Sequence, residues 1–188
     1  MNKIKNLNRY LSKGFTLIEL LIVIAVLGVL AAVVLVAIDP VQQLARGRDA
    51  GRKSTIGQLG RAMQAYYTST GVYPPETGVN SWMGSPVSPA NNILVTSGEI
   101  KSFPANPAYA VPGAGIPCSP NNVNGYCFDA SATEIVIFAR MESKSVISNC
   151  PAGSPTAWYV FSSAAGRSGG TCGTGATAPV PGITTFVF

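Results

Sequence analysis

The chain has 188 residues, enough for one modest globular unit with an appendage, and it is poor in charge, with 47% hydrophobic and only 11% charged residues. Its formal charge of +5 does not describe a basic surface: of 13 basic side chains, Lys3, Lys5, Arg9 and Lys13 precede the apolar stretch, leaving nine against eight acids, so a nucleic-acid-binding face is not implied. There is no histidine, which argues against most zinc enzymes and against His-based acid–base catalysis.

Residues Met1 to Gly14 are basic and polar, and the run from Phe15 to Ile38 is apolar apart from Thr16 and Glu19. As a helix that run spans roughly 36 Å, sufficient to cross a bilayer core of about 30 Å. It is too long for a secretory h-region, and no small-x-small cleavage site follows it. Basic residues flank it on both sides, Arg46, Arg48, Arg52 and Lys53 following it, so charge alone does not orient it.

Asp39-Pro40 interrupts the pattern, because proline removes an amide donor and clashes with the preceding turn. Helical character resumes from Val41 to about Ser69, with Ile56, Leu59, Met63 and Tyr66 on one face. Gly47, Gly51, Gly57 and Gly60 fit either simple tolerance or close helix approach; each weakens the helix by roughly 1 kcal/mol relative to alanine. Gly71 ends the helix, and Tyr73-Pro74-Pro75 forces an extended exit.

Residues 72 to about 130 are dense in Pro, Gly, Asn and Ser and read as a long loop region with a short helix or strand near Ile93 to Val95. Three segments beyond it read as strands: Glu134–Met141, Ala157–Ser163 and Ile183–Phe188. An antiparallel sheet covering the Ile56, Leu59 and Met63 face gives an α+β fold, one long N-terminal helix carrying a small head, lollipop-shaped. Tyr66, Tyr67 and Tyr73 read as aromatic packing between helix and sheet.

Cys118, Cys127, Cys150 and Cys172 contain no CxxC, so an even count in an exported domain reads as two disulfides. Loop-closure entropy favours local pairs, hence Cys118–Cys127 and Cys150–Cys172. Disulfides require the region after the apolar helix to lie outside, which places the basic N-terminal stretch in the cytoplasm. The basic run from Arg46 to Lys53 reads as a solvated collar or as salt bridges between subunits, and less readily as a DNA or lipid contact. Neither GxSxG nor a phosphate-binding Gly-rich loop is present, so catalysis has no candidate residue, and no metal or cofactor is called for.

Lys13-Gly14-Phe15-Thr16-Leu17-Ile18-Glu19, opening an apolar helix after a basic leader, resembles the class III signal sequence of type IV pilins and of type II secretion pseudopilins. The resemblance is strong over roughly residues 9–40, looser to Pro74, and general in plan beyond. It implies a leader 1–14 cut by a prepilin peptidase between Gly14 and Phe15, with methylation of the new Phe15 amine. It implies a membrane and filament-core helix 15–38, a second half-helix 39–71 and a head 72–188, with loops to 130 and sheet and disulfides from 131. Glu19 falls on the family's acidic residue, needed for assembly. Gly28 and Pro40 are candidates for the bracket around a segment that loses helicity in the filament, although Pro40 lies further along than the commonest family position.

Glu19 is informative without the family as well. A charge at the centre of a membrane helix costs on the order of 3 kcal/mol and such residues are usually functional. Pairing with a neighbouring subunit's Phe15 amine would act as an axial ruler. The implied function is a structural, non-enzymatic subunit of a type IV pilus, inserted in the cytoplasmic membrane and polymerised with copies of itself by membrane assembly machinery into a surface filament. Adhesion, twitching or DNA uptake would follow, through a surface or DNA ligand the sequence does not identify. The alternative is a pseudopilin, whose major form carries an acidic calcium loop; Asp129, Glu134 and Glu142 are too few and too scattered for one. A lone membrane-anchored binding domain would leave Glu19 unexplained.

Overall fold

The computed structural model describes residues 14–75, 81–83, 89–105, 125–174 and 178–188. They fall into two units that divide between Pro40 and Val41.

The described residues of the first unit form one helix, α1 (Leu17–Ala37), apolar around its whole circumference and with its large side chains exposed. It runs unbroken through Gly28 and ends where Ile38 turns extended. Pro40 then opens α2 (Pro40–Thr70), at the helix position where a missing N–H costs nothing. Gly71 closes α2 with φ +78° while its N–H donates to Tyr67 O at 2.8 Å. A left-handed residue at this point is what an L side chain resists.

The second unit carries a five-stranded antiparallel sheet with strands in sequence order: β1 (Ser81–Trp82), β2 (Cys127–Ala130), β3 (Ile135–Arg140), β4 (Thr156–Ser162) and β5 (Arg167–Gly173). Two short helices interrupt it, α3 (Pro89–Thr96) and α4 (Lys144–Ile147). In β3, Ile135, Ile137 and Ala139 join Ile56, Leu59 and Met63 of α2 with Met83, Leu94, Phe128 and Phe161 in the main core. Val136 and Phe138 alternate to the opposite face, where they meet Trp158 and Val160. That second face is also covered, by Ala178, Ile183 and Phe186, which is why β3 reads as a continuous apolar run rather than an alternating one. Tyr67 and Tyr73 stack at 4.5 Å between ring centroids, the aromatic packing expected.

Two expectations need correction. The 72–130 stretch holds more than the short element near Ile93 to Val95, which is α3: β1 and β2 lie within it as well. Ile183–Phe188 is not one of the five strands; Ile183 and Phe186 cap the second face instead, and Phe188 packs against the main core. The last strand is the Gly-rich Arg167–Gly173, paired to β4 over seven residues from Ser162↔Arg167 to Thr156↔Gly173. Glycine is a poor strand former, but here Gly169 and Gly170 lie beneath the rings of Phe186 and Phe188, where a Cβ would overlap them. Close approach of side chains from elsewhere compensates the missing ones.

Among the helix glycines, Gly60 alone lies at a close approach. A Cβ there would overlap the Phe161 ring on β4, whereas Gly47 and Gly51 face open space. Cys150 and Cys172 are joined, Cα to Cα 5.5 Å, tying the segment after α4 to β5. Cys127 is also disulfide-bonded; its expected partner, Cys118, lies outside the described residues.

Candidate functional site

The first candidate is the start of α1. Gly14 and Phe15 precede the helix, with Phe15 85% exposed. Thr16 is the N-cap in extended conformation, and its Oγ1 accepts from the Glu19 N–H at 3.3 Å. Glu19 Oε2 in turn accepts from the Thr16 N–H at 2.9 Å and from Thr16 Oγ1–H at 2.7 Å. This reciprocal capping box satisfies amides that a helix start leaves unpaired and is worth about 1 kcal/mol. Glu19 thus has a task within its own chain, holding the first turn closed and placing a negative charge at the positive end of the helix dipole. Sequence reasoning overlooked Thr16, although Thr-x-x-Glu before an apolar run is the signature of such a box.

From its fourth residue onward, α1 has no polar side chain to solvate it. Leu20 to Leu35 expose from 47% of Val23 to 71% of Leu35. Burying one large aliphatic side chain is worth about 1.5–3 kcal/mol, so leaving this helix in water forfeits on the order of 20 kcal/mol, more than a domain's typical net stability of 5–15. A membrane or an apolar assembly has to receive it.

The second cluster lies in the 41–188 unit and was not anticipated. Asp49 and Arg52 of α2 are buried, 2% and 1% exposed. Arg52 Nη1 donates to Asp49 Oδ1 at 2.6 Å, and its Nη2 donates to Glu142 Oε1. Arg48 reaches the same carboxylate through Nε at 2.8 Å and Nη2 at 3.1 Å, and this hydrogen bonding to Glu142 raises the already high pKa of Arg48. Asp49 also accepts the backbone N–H of Glu142 at 3.1 Å and of Ser143 at 2.9 Å, while Gln42 Oε1 accepts that of Lys144 at 2.9 Å. Two arginines and two acids form a neutral, partly buried clamp, with Asp49 and Arg52 at its buried end, holding the segment after β3 to the first turns of α2. Within the basic run, Arg48 and Arg52 are therefore paired within the chain rather than solvated, the Lys53 ammonium lies 5.3 Å from the Tyr159 ring centroid, and Arg46 is exposed. A signal was present. The buried face Ile56, Leu59 and Met63, extended back in steps of three and four, lands on Arg52, Asp49 and Ala45.

Among the described residues, no group of three or more His, Cys, Asp or Glu side chains could hold a metal ion. Of the three acids weighed for a calcium loop, Asp129 lies on β2, Glu134 just before β3, and Glu142 in the clamp.

Helix α1, α2 and an antiparallel sheet define an α+β, pilin-like fold. Residues 9–35 match the prokaryotic N-terminal methylation motif. The chain is 40% identical over 68 residues to the fimbrial protein EcpC of Eikenella corrodens, covering 36% of this chain and 43% of that protein. It is 37% identical over 97 residues to the type IV major pilin protein PilE1 of Neisseria gonorrhoeae, covering 49% of this chain and 54% of the relative. With the PilE pilin of the same organism it shares 41% over 71 residues, 35% of this chain and 38% of the relative. The chain thus spans about half or less of the curated relatives it matches. No solved structure is a significant match. Motif and homology together support a type IV pilin.

Proposed function

We propose that the chain is a structural, non-catalytic subunit of a type IV pilus. It is cut after Gly14 on the cytoplasmic side by a prepilin peptidase, methylated on the Phe15 amine and stored in the cytoplasmic membrane through α1. The assembly machinery then packs it with copies of itself into a surface filament. The observation that carries this reading is the apolar, uncovered α1 opening at the capped Thr16–Glu19 turn directly after Gly14-Phe15. Such a helix is soluble in lipid as a monomer and in a bundle of its own copies as a polymer, and the same side chains serve both.

Glu19 gives the polymer its register. In lipid the capping box keeps the carboxylate occupied near the interface. In the filament core, pairing with the Phe15 amine of a neighbour compensates two charges at one axial offset only, and a missing partner leaves an uncompensated buried charge worth several kcal/mol. The capping role and the pairing role separate experimentally. Glu19→Gln keeps a side chain that completes a capping box and removes the charge; Glu19→Leu removes both. Both variants should accumulate in the membrane and lose the leader, and both should leave few or no filaments in electron micrographs of sheared surface material. Normal filament yield from Glu19→Gln would assign Glu19 to capping alone.

A further inference from the structure

The outer edge of β5 is a binding surface already in use. Gly170 N–H donates to Phe188 O and Gly170 O accepts from Val187 N–H, both at 2.7 Å. The Phe186 ring occupies the place of a Gly169 side chain and the Phe188 ring that of a Gly170 side chain. Successive strand residues point to opposite faces, so the two rings straddle the sheet edge. Phe186 packs with the second-face cluster around Trp158, and Phe188 with the main core. The Arg167 guanidinium lies 4.3 Å from the Phe186 ring centroid, and Ser162 Oγ donates to Ile183 O at 2.5 Å. The segment is otherwise loosely held: Val187 is 56% exposed and Thr184 and Thr185 are exposed.

We infer that the Gly169–Gly170 edge is a strand-accepting socket for an extended Phe-x-Phe segment, closed in the free subunit by the chain's own Ile183–Phe188 and fitted to take the same segment from a second copy. Main-chain hydrogen bonds to an exposed edge supply affinity and side-chain pockets on alternate faces supply specificity, the logic of β-strand addition. An unguarded edge strand otherwise pairs with any exposed strand. The pockets here are two missing side chains in succession, which only a partner with aromatic residues at i and i+2 fills on both faces. Every copy carries both socket and segment. Tethering sets an effective concentration on the order of millimolar, so the chain's own segment excludes a dilute partner and yields only where copies are crowded or the segment is altered.

The test uses the otherwise full-length chain lacking residues 183–188, in detergent micelles, with a fluorescent ITTFVF peptide standing for the segment of a second copy. The shortened chain should bind this peptide, and an ITTAVA peptide should bind at least about tenfold more weakly, because it lacks the two partly buried rings that fill the glycine positions. The intact chain should not bind micromolar peptide. A shortened chain that retains the Cys150–Cys172 bridge and a native near-ultraviolet signal yet ignores ITTFVF would overturn the inference, as would equal binding of ITTAVA. Should the shortened chain not fold alone, ITTFVF present during refolding should restore it, and failure to do so would overturn the inference too. In the full-length Phe186→Ala/Phe188→Ala chain, hydrogen exchange at the Gly170 amide should accelerate while the amides shared between β3 and β4 stay protected. Unchanged Gly170 protection would contradict the socket.

Discussion

Asp49→Ala probes the buried clamp, and its cost follows from what the carboxylate holds. Asp49 is 2% exposed and accepts from Arg52 Nη1 and from the amides of Glu142 and Ser143. Removing it leaves a guanidinium that is 1% exposed with half its charge compensation and leaves those two amides without this acceptor. Breaking a buried ion pair from one side costs about 3–5 kcal/mol, whereas an exposed pair is worth about 0.2–1. At about 2–4 °C per kcal/mol for a unit of this size, the melting temperature should fall by about 6–20 °C. Arg48→Ala, whose side chain is 29% exposed, should cost no more than about 1 kcal/mol. The assay is thermal unfolding of the full chain in micelles, followed by near-ultraviolet circular dichroism, which reads Trp158 and the tyrosines of the 41–188 unit rather than α1. An Asp49→Ala chain melting within about 2 °C of wild type would refute the claim that this cluster, rather than the apolar contacts around it, fixes the segment after β3 to α2.

Two further predictions concern packing and ionisation. Gly60→Ala forces a Cβ into the Phe161 ring and should cost about 1–3 kcal/mol, while Gly57→Ala, whose nearest neighbour is Arg61 Nη1 at 3.7 Å, should gain up to about 1; denaturant midpoints that move together would contradict the close approach. Burial raises the phenol pKa of Tyr73 and of Tyr126, so the folded chain holds these protons longer than the unfolded one. Their contribution is fully present below the ordinary tyrosine value of about 10 and is lost as pH rises through the folded values. Stability should decline above about pH 10, and less steeply in Tyr126→Phe; a flat profile would show that neither phenol is held neutral.

How much of this was legible in the sequence depended on how local each signal is. The apolar helix, its break at Asp39-Pro40, the Gly71 stop and the strands β3 and β4 all follow from short-range pattern, and the structure has them at Leu17–Ala37, Pro40–Thr70, Ile135–Arg140 and Thr156–Ser162. β5 was opaque because its glycines argue against a strand until Phe186 and Phe188, distant by some seventeen residues, are known to fill them. The mistaken strand at Ile183–Phe188 is the other half of the same misreading: its β-branched and aromatic residues cover a sheet without joining the ladder of five. β2 is four residues long and follows a Pro- and Asn-rich stretch, too short for periodicity to register. In the clamp, Asp49 and Arg52 could be found from the heptad-like face, but Glu142 comes from 90 residues beyond Arg52, and nothing local announces it. The Thr16–Glu19 box is legible as a motif, Thr-x-x-Glu ahead of an apolar run.

The central claim is that the start of α1 is a processed end built for a polymer, and the mass of the chain recovered from the cell surface tests it most directly. Filaments sheared from cells should contain a chain beginning at Phe15, heavier by one methyl group on its amine, with the 14 residues from Met1 to Gly14 absent. N-terminal fragmentation should place that methyl on Phe15 and not on a lysine. A surface chain beginning at Met1, or one beginning beyond Leu30 and therefore without the capped turn and the greater part of α1, would contradict the account.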